Sequence, residues 1–147
     1  MIRHDLLALE RVDALAGLPA KALSPLASGS RVQRYGTGTV VLRQGELVTC
    51  LYLIRRGRVR VQRTHRHITE PFILRDCGAG ETVGSLGLFD GAPSPFGASA
   101  LEETEALELD AALIARVLLR YPSAAGPPLR VLSSTIRTAV DLAVAYP

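Results

Sequence analysis

From residue 29 to residue 110 the chain is a series of short apolar runs cut by glycine, at 36, 38, 45 and 57 and again at 78, 80, 84, 91 and 97. A helix does not tolerate that rhythm, because each interior glycine costs it roughly 1 kcal/mol relative to alanine. Strands joined by tight turns do tolerate it. Runs recurring roughly every 8 to 12 residues mark an all-β sandwich or barrel. The pattern predicts strands at 30–35, 39–43, 50–55, 58–63, 71–75, 81–83, 97–101 and 105–109. In Arg58-Val-Arg-Val-Gln62 the alternation turns Val59 and Val61 inward and the polar residues outward. Arg56-Gly57 falls at the hairpin turn before it, where glycine accepts a positive φ.

Helical periodicity flanks this region on both sides. Leu6, Leu7, Leu9, Val12, Leu15 and Leu18 predict a helix over 3–15 that Gly17 closes, and a second short helix follows from Pro19 to Leu26. Ala111–Arg120 reads as a helix stopped by Tyr121-Pro122. Pro127-Pro128 opens the last helix, on which Leu129, Leu132, Ile136, Ala139, Ala143 and Tyr146 step by 3,4,3,4,3. That spacing is an a/d seam, able to dock on the chain's own strands or on the same helix of a second subunit. The expected architecture is one domain, mainly β with flanking α: N-terminal helices over 1–28, a β-roll of jelly-roll type over 29–110, and C-terminal helices over 111–147.

Composition narrows the setting. No apolar run reaches the roughly 18 residues that would span a bilayer, and the N-terminus lacks the apolar block and cleavage site of a signal peptide. Cys50 and Cys77 lie too far apart for a CxxC pair, and a cytoplasmic protein with two reduced thiols is the expectation. The net charge of +3 is unevenly spread: residues 31 to 75 carry ten arginines against Glu46 and Glu70, while residues 102 to 110 carry five acids and no base. Either the surface is polarised or these are solvated faces of neighbouring strands.

Three local patterns invite chemistry. Val83-Gly84-Ser85-Leu86-Gly87 lacks the glycine a nucleophile elbow needs two residues before its serine, so no enzyme is expected. Gly78-Ala-Gly-Glu-Thr-Val-Gly84 has its third glycine one residue late for a dinucleotide fingerprint. His65-Arg-His67 with Glu70 could hold a metal, since alternate strand residues share a face. It loosely resembles the first motif of cupins, which makes a cupin-like metal-binding roll one alternative. A loop tip with two exposed histidines and no metal is the other.

The stretch from Gly78 to Glu102 carries the stronger signal. It resembles the phosphate-binding cassette of cyclic-nucleotide-binding domains, as in catabolite activator and Fnr-like regulators and in the regulatory subunits of cAMP-dependent kinase. Gly84, Leu86, Gly87, Leu88 and Pro93 fall on the family pattern. Tyr35-Gly-Thr-Gly, Val40–Glu46, Leu51–Gly57 and Leu101–Leu109 resemble the family's strand-glycine blocks. The resemblance implies a ligand site at Val83, Gly84, Ser85, Leu86, Gly87, Ser94, Pro95 and Gly97, facing the C-terminal helix. The ligand it implies is a cyclic nucleotide, cAMP or cGMP, or another small anion. Ser85 stands where the family's ribose-binding Glu is expected, and Ser94 where its phosphate-binding Arg is expected. An arginine such as Arg75 could compensate for the lost cation. Pro95-Phe96 puts bulk where the family keeps small residues.

The family's C-terminal helix reaches the nucleotide base with polar side chains and dimerises, which implies base contacts from Ser133, Ser134 or Thr135 and a homodimer seam of Leu129, Leu132, Ile136, Ala139 and Ala143. The expected function is a stand-alone regulatory module with weak or altered ligand specificity, acting on a dimer or protein partner. The sensor half of a catabolite activator/Fnr-type transcription regulator is an alternative. With no recognition helix before Pro147, no sequence-specific DNA binding is expected of this chain alone.

Overall fold

The computed structural model of the chain describes residues 15–88 and 91–145, leaving aside the side chains of Val131 and of 143–145. The expected helix over 3–15 lies outside the described residues, apart from its last position. Helix α1 spans Ala20–Ser28, and eight strands follow: β1 Arg31–Tyr35, β2 Val40–Leu42, β3 Cys50–Arg56, β4 Val59–His65, β5 Ile68–Cys77, β6 Thr82–Val83, β7 Gly97–Ala100 and β8 Thr104–Asp110. Helix α2 (Ala111–Arg120), a single 3-10 turn (Pro122–Ala124) and helix α3 (Gly126–Ala145) complete the order.

The strands form two four-stranded antiparallel sheets, ordered β1-β8-β3-β6 and β2-β7-β4-β5. All eight expected strands are present, shifted by a residue or two at most ends. β5 departs further, running from Ile68 rather than 71 and passing through Pro71. It is the edge of its sheet, where a residue without an N–H leaves no ladder bond unmade.

The period-2 alternation of β3 and β8 divides the interior. Leu51, Leu53, Leu107 and Leu109 pack with Leu23, Leu26 and Ile114 of α1 and α2 into one apolar cluster. Ile54, Val59, Val61, Leu74 and Val83 build a second cluster within the roll, against which Phe72, Phe96 and, from α3, Ala139 and Leu142 are packed. Asp110 starts α2 by accepting a hydrogen bond from the Leu113 amide at 3.0 Å. At the β3–β4 turn Gly57 has φ +100°, and a β-carbon there would collide with Thr104 Oγ1 and the Glu103 carbonyl.

Charge segregated in sequence is cross-paired in space. β8 lies between β1 and β3, so its acids face the arginine-bearing strands on both sides. Glu105 is within 3.6 Å of Arg34 and Arg55 and 3.0 Å of Arg56, and Glu108 is 3.5 Å from Arg31. Glu108 also accepts from the Tyr35 hydroxyl at 3.0 Å, and burial with that bond holds the phenol well above its ordinary pKa. On β4 and β5, Arg60 makes a bidentate pair with Asp76 at 2.8 and 3.0 Å, which lowers the Asp76 pKa. The fold sets the two charge runs on neighbouring strands, with Arg31 and Arg34 exposed and the Glu105 and Glu108 side chains largely covered.

Candidate functional site

The cassette connects β6 to β7 over residues 84–96. Gly84 and Gly87 have φ of +101° and +91°. A β-carbon at Gly87 would lie 2.6 Å from the Ala92 carbonyl, and one at Gly84 would lie 3.1 Å from that of Cys50. These are the places where the loop turns back on itself and against β3, and both demand glycine. The far end of the loop is tied to the turn after β2. Ser94 N donates to the Glu46 carbonyl at 2.8 Å and Gly45 N donates to the Ser94 carbonyl at 2.8 Å. Arg63 of β4 donates to the Pro95 carbonyl at 2.7 Å.

Between the cassette, the inner face of the roll and α3 lies a cavity of ≈ 30 Å³, room for two or three waters by the usual measure of roughly 10–15 Å³ each. Cassette residues Val83, Gly84, Ser85, Leu86 and Ser94 line it. Leu42, Val61, Leu74 and Phe96 supply its apolar wall. Arg75 is the one charged residue among its described lining residues; Nη2 donates to the Thr82 carbonyl at 3.2 Å and Nη1 is 3.8 Å from Glu81. Thr135 is the contribution of α3.

The expected site residues thus divide. Five of the eight cassette positions reach the cavity. Gly87 packs against Val48 and Ala92, Gly97 lies beside Gln44 and the Leu42 carbonyl, and Pro95 is engaged through its carbonyl by Arg63. Ser94, 4% exposed, turns its hydroxyl into its own loop, donating to the Phe96 carbonyl at 2.7 Å and accepting from the Phe96 amide at 3.4 Å.

On α3 the phase of the helix decides. Ser133 and Ser134 are exposed, and Thr135 is the candidate that points at the cavity. The expected seam is not one exposed strip. Ala139 packs on the roll and Leu132 is half-buried, whereas Leu129 (60% exposed), Ile136 (54%) and Val140 (55%) face outward. On a straight helix 3,4 stepping makes a stripe that drifts by about 20° per heptad, and the roll takes one side of that stripe. The side chain of Ala143 is outside the described residues.

His65 and His67 are exposed at the tip of the β4–β5 hairpin, ring centroids 5.4 Å apart, with the His67 amide donating to His65 Nδ1 at 3.3 Å. Glu70 does not join them: among the described residues no three potential metal ligands converge. No helix of the described residues is long and apolar enough to cross a membrane.

Comparison with known proteins agrees with this geometry. A family model for the cyclic nucleotide-binding domain matches residues 32–121. The chain is 33% identical over 105 residues to a cyclic AMP receptor protein from Thermus thermophilus, covering 71% of this chain and 48% of that protein. It therefore spans about half the length of that curated relative. Among solved structures, the sensor domain of the transcriptional regulator DNR from Pseudomonas aeruginosa superposes with a TM-score of 0.82 at 20% identity, covering 95% of this chain and 93% of that one. The regulatory subunit of a cAMP-independent protein kinase A from Trypanosoma brucei superposes with a TM-score of 0.75 at 21% identity, covering 92% and 47%. With a matching model over most of the roll, a relative of this identity, and the glycine-turned cassette where the family keeps its ligand, the chain belongs to the cyclic nucleotide-binding domain family.

Proposed function

We infer that this chain is a regulatory sensor module, not an enzyme, in which occupancy of the cassette cavity is read out by α3. The observation that carries this is the shared lining: cassette residues Gly84–Leu86 and Thr135 of α3 border one space. A ligand that binds there has different contacts in different positions of the helix, which is what a population shift requires.

The ligand is not bound in the orthodox way. Ser85 and Ser94 replace two charged contacts, and each charge-assisted hydrogen bond is worth roughly 1.5–3 kcal/mol, about 10- to 150-fold in affinity. The relative from Trypanosoma brucei is described as cAMP-independent, so the same fold serves without that ligand. The Thermus thermophilus relative, a cyclic AMP receptor, favours a nucleotide or another small anion as the effector class. The output surface is the outward strip Leu129, Ile136 and Val140, which a second α3 or a protein partner would cover. The two free thiols suit a reducing, cytoplasmic setting.

Titration calorimetry tests the reading. Wild type is expected to give little heat at micromolar cAMP, and Ser85→Glu with Ser94→Arg to raise the affinity. Amide exchange along α3 is expected to change when the site of that double variant is filled. Tight binding by wild type overturns the altered specificity; unchanged exchange in α3 overturns the read-out.

A further inference from the structure

The cavity is far smaller than the roughly 300–1,000 Å³ of ordinary ligand sites, although cassette, roll and α3 all contribute to its lining. One side chain of the cassette itself stands in its wall. Phe96 lines the ≈ 30 Å³ cavity and packs against the cluster that contains Leu42, Val61 and Leu74. Its backbone is clamped at both ends by one hydroxyl: Ser94 Oγ donates to the Phe96 carbonyl at 2.7 Å and accepts from its amide at 3.4 Å. Arg63, holding the Pro95 carbonyl at 2.7 Å, fixes the residue between them. Ser94 and Arg63 therefore hold the backbone of the loop from which the ring projects.

We propose that Phe96 is the specificity-determining residue of this module: its ring takes up the space a nucleotide would need, so the site excludes cyclic nucleotides by volume as well as by missing charge. The serine that stands in the phosphate-binding position holds the plug instead of a ligand. This inference rests on the sensor reading of the cavity. It adds that restoring the two charges is not enough for full affinity while the ring remains. It also names what the unplugged cavity accepts, which is a flat ring of about the size removed, apolar on the side of Leu42, Val61 and Leu74 and polar toward Ser85, Thr135 and Arg75.

The test is a cAMP titration of three proteins: wild type, Ser85→Glu/Ser94→Arg, and that pair with Phe96→Ala. Wild type is expected to bind no cAMP at micromolar concentration. The triple variant is expected to bind at least about tenfold more tightly than the double variant. Phe96→Ala alone is expected to gain thermal stability from indole, which wild type does not. Should alanine leave the triple variant unfolded, Phe96→Val replaces it and the same ordering is expected. Equal affinity of double and triple variants, or tight cAMP binding by wild type, overturns the plug while leaving the sensor reading standing. A gain in affinity with no change in amide exchange along α3 does the reverse: the plug holds and the read-out by α3 falls.

Discussion

The two sides of the roll are held to very different standards. On one side α1 and α2 bury Leu23, Leu26 and Ile114 almost completely against Leu51, Leu53, Leu107 and Leu109. On the other, α3 touches the roll through half-buried Ala139 and Leu142 and leaves Leu129, Ile136 and Val140 in solvent. Apolar burial contributes about 25 cal/mol per Å², so the first contact is a structural fixture and the second a weakly held one. Elements that must move are drawn from the weakly held end of a structure. The helix that borders the cavity is the one that meets this description.

The contrast can be broken most directly on the fixed side. Ile114→Ala is expected to destabilise the protein by about 2–5 kcal/mol, the usual loss for a fully buried branched side chain, measured by denaturant unfolding. A loss near 1 kcal/mol would mean that α2 is no better held than α3.

Next in size is Ile136→Asp, which tests the outward strip. If two copies of α3 meet there, wild type is expected to scatter light as about twice the 15.7 kDa monomer and the variant as about one. A monomeric wild type at tens of micromolar leaves the strip to another partner. Leu142→Ala sharpens the comparison from the other side. Half-buried, it is expected to cost only about 1 kcal/mol while raising amide exchange in α3 well before α2 responds.

The smallest effect is electrostatic. Arg60 holds the Asp76 carboxyl below its ordinary pKa. A depressed carboxylate pKa stabilises the fold above the unfolded value of about 3.9, and that stabilisation fades as pH falls through the folded value. Asp76→Asn is therefore expected to lower the melting temperature slightly at pH 6, by an amount that shrinks at a lower pH as the folded-state Asp76 carboxyl takes up its proton. A difference that persists at the lower pH would assign the loss to packing.

Much of this was legible in the chain, and for local reasons. The strands follow from period-2 alternation between glycines, and Val59 and Val61 face inward as that alternation requires. α2 has the predicted bounds because Asp110 caps it and Pro122 ends it. The cassette was legible because Gly84 and Gly87 are demanded by backbone geometry, and such positions leave their mark on any sequence that folds this way. What escaped depends on docking. Whether residue 133, 134 or 135 faces the cavity is set by the rotation of α3 on the roll, which no property of three adjacent hydroxyl residues encodes. The pairing of the arginines with Glu105 and Glu108 escaped for a similar reason: the partners come from strands about fifty residues or more apart in sequence. The bulk of Phe96 was visible, but not that Ser94 would spend its hydroxyl on holding it.

The position of β8 has a consequence for how this chain acquires its structure in time. β8 is the last strand to be made, yet it lies between β1 and β3. Until residue 110 is available, β1 has no neighbour to ladder with, and the arginines of β1 and β3 repel one another without Glu105 or Glu108 between them. Early local pairing is open to β4 and β5, joined by a hairpin, but the first sheet closes only by spanning a long loop. Such non-local closure places the chain among slow, high-contact-order folders. On the ribosome the arginine-rich half waits, incomplete, for the short acidic strand that completes it.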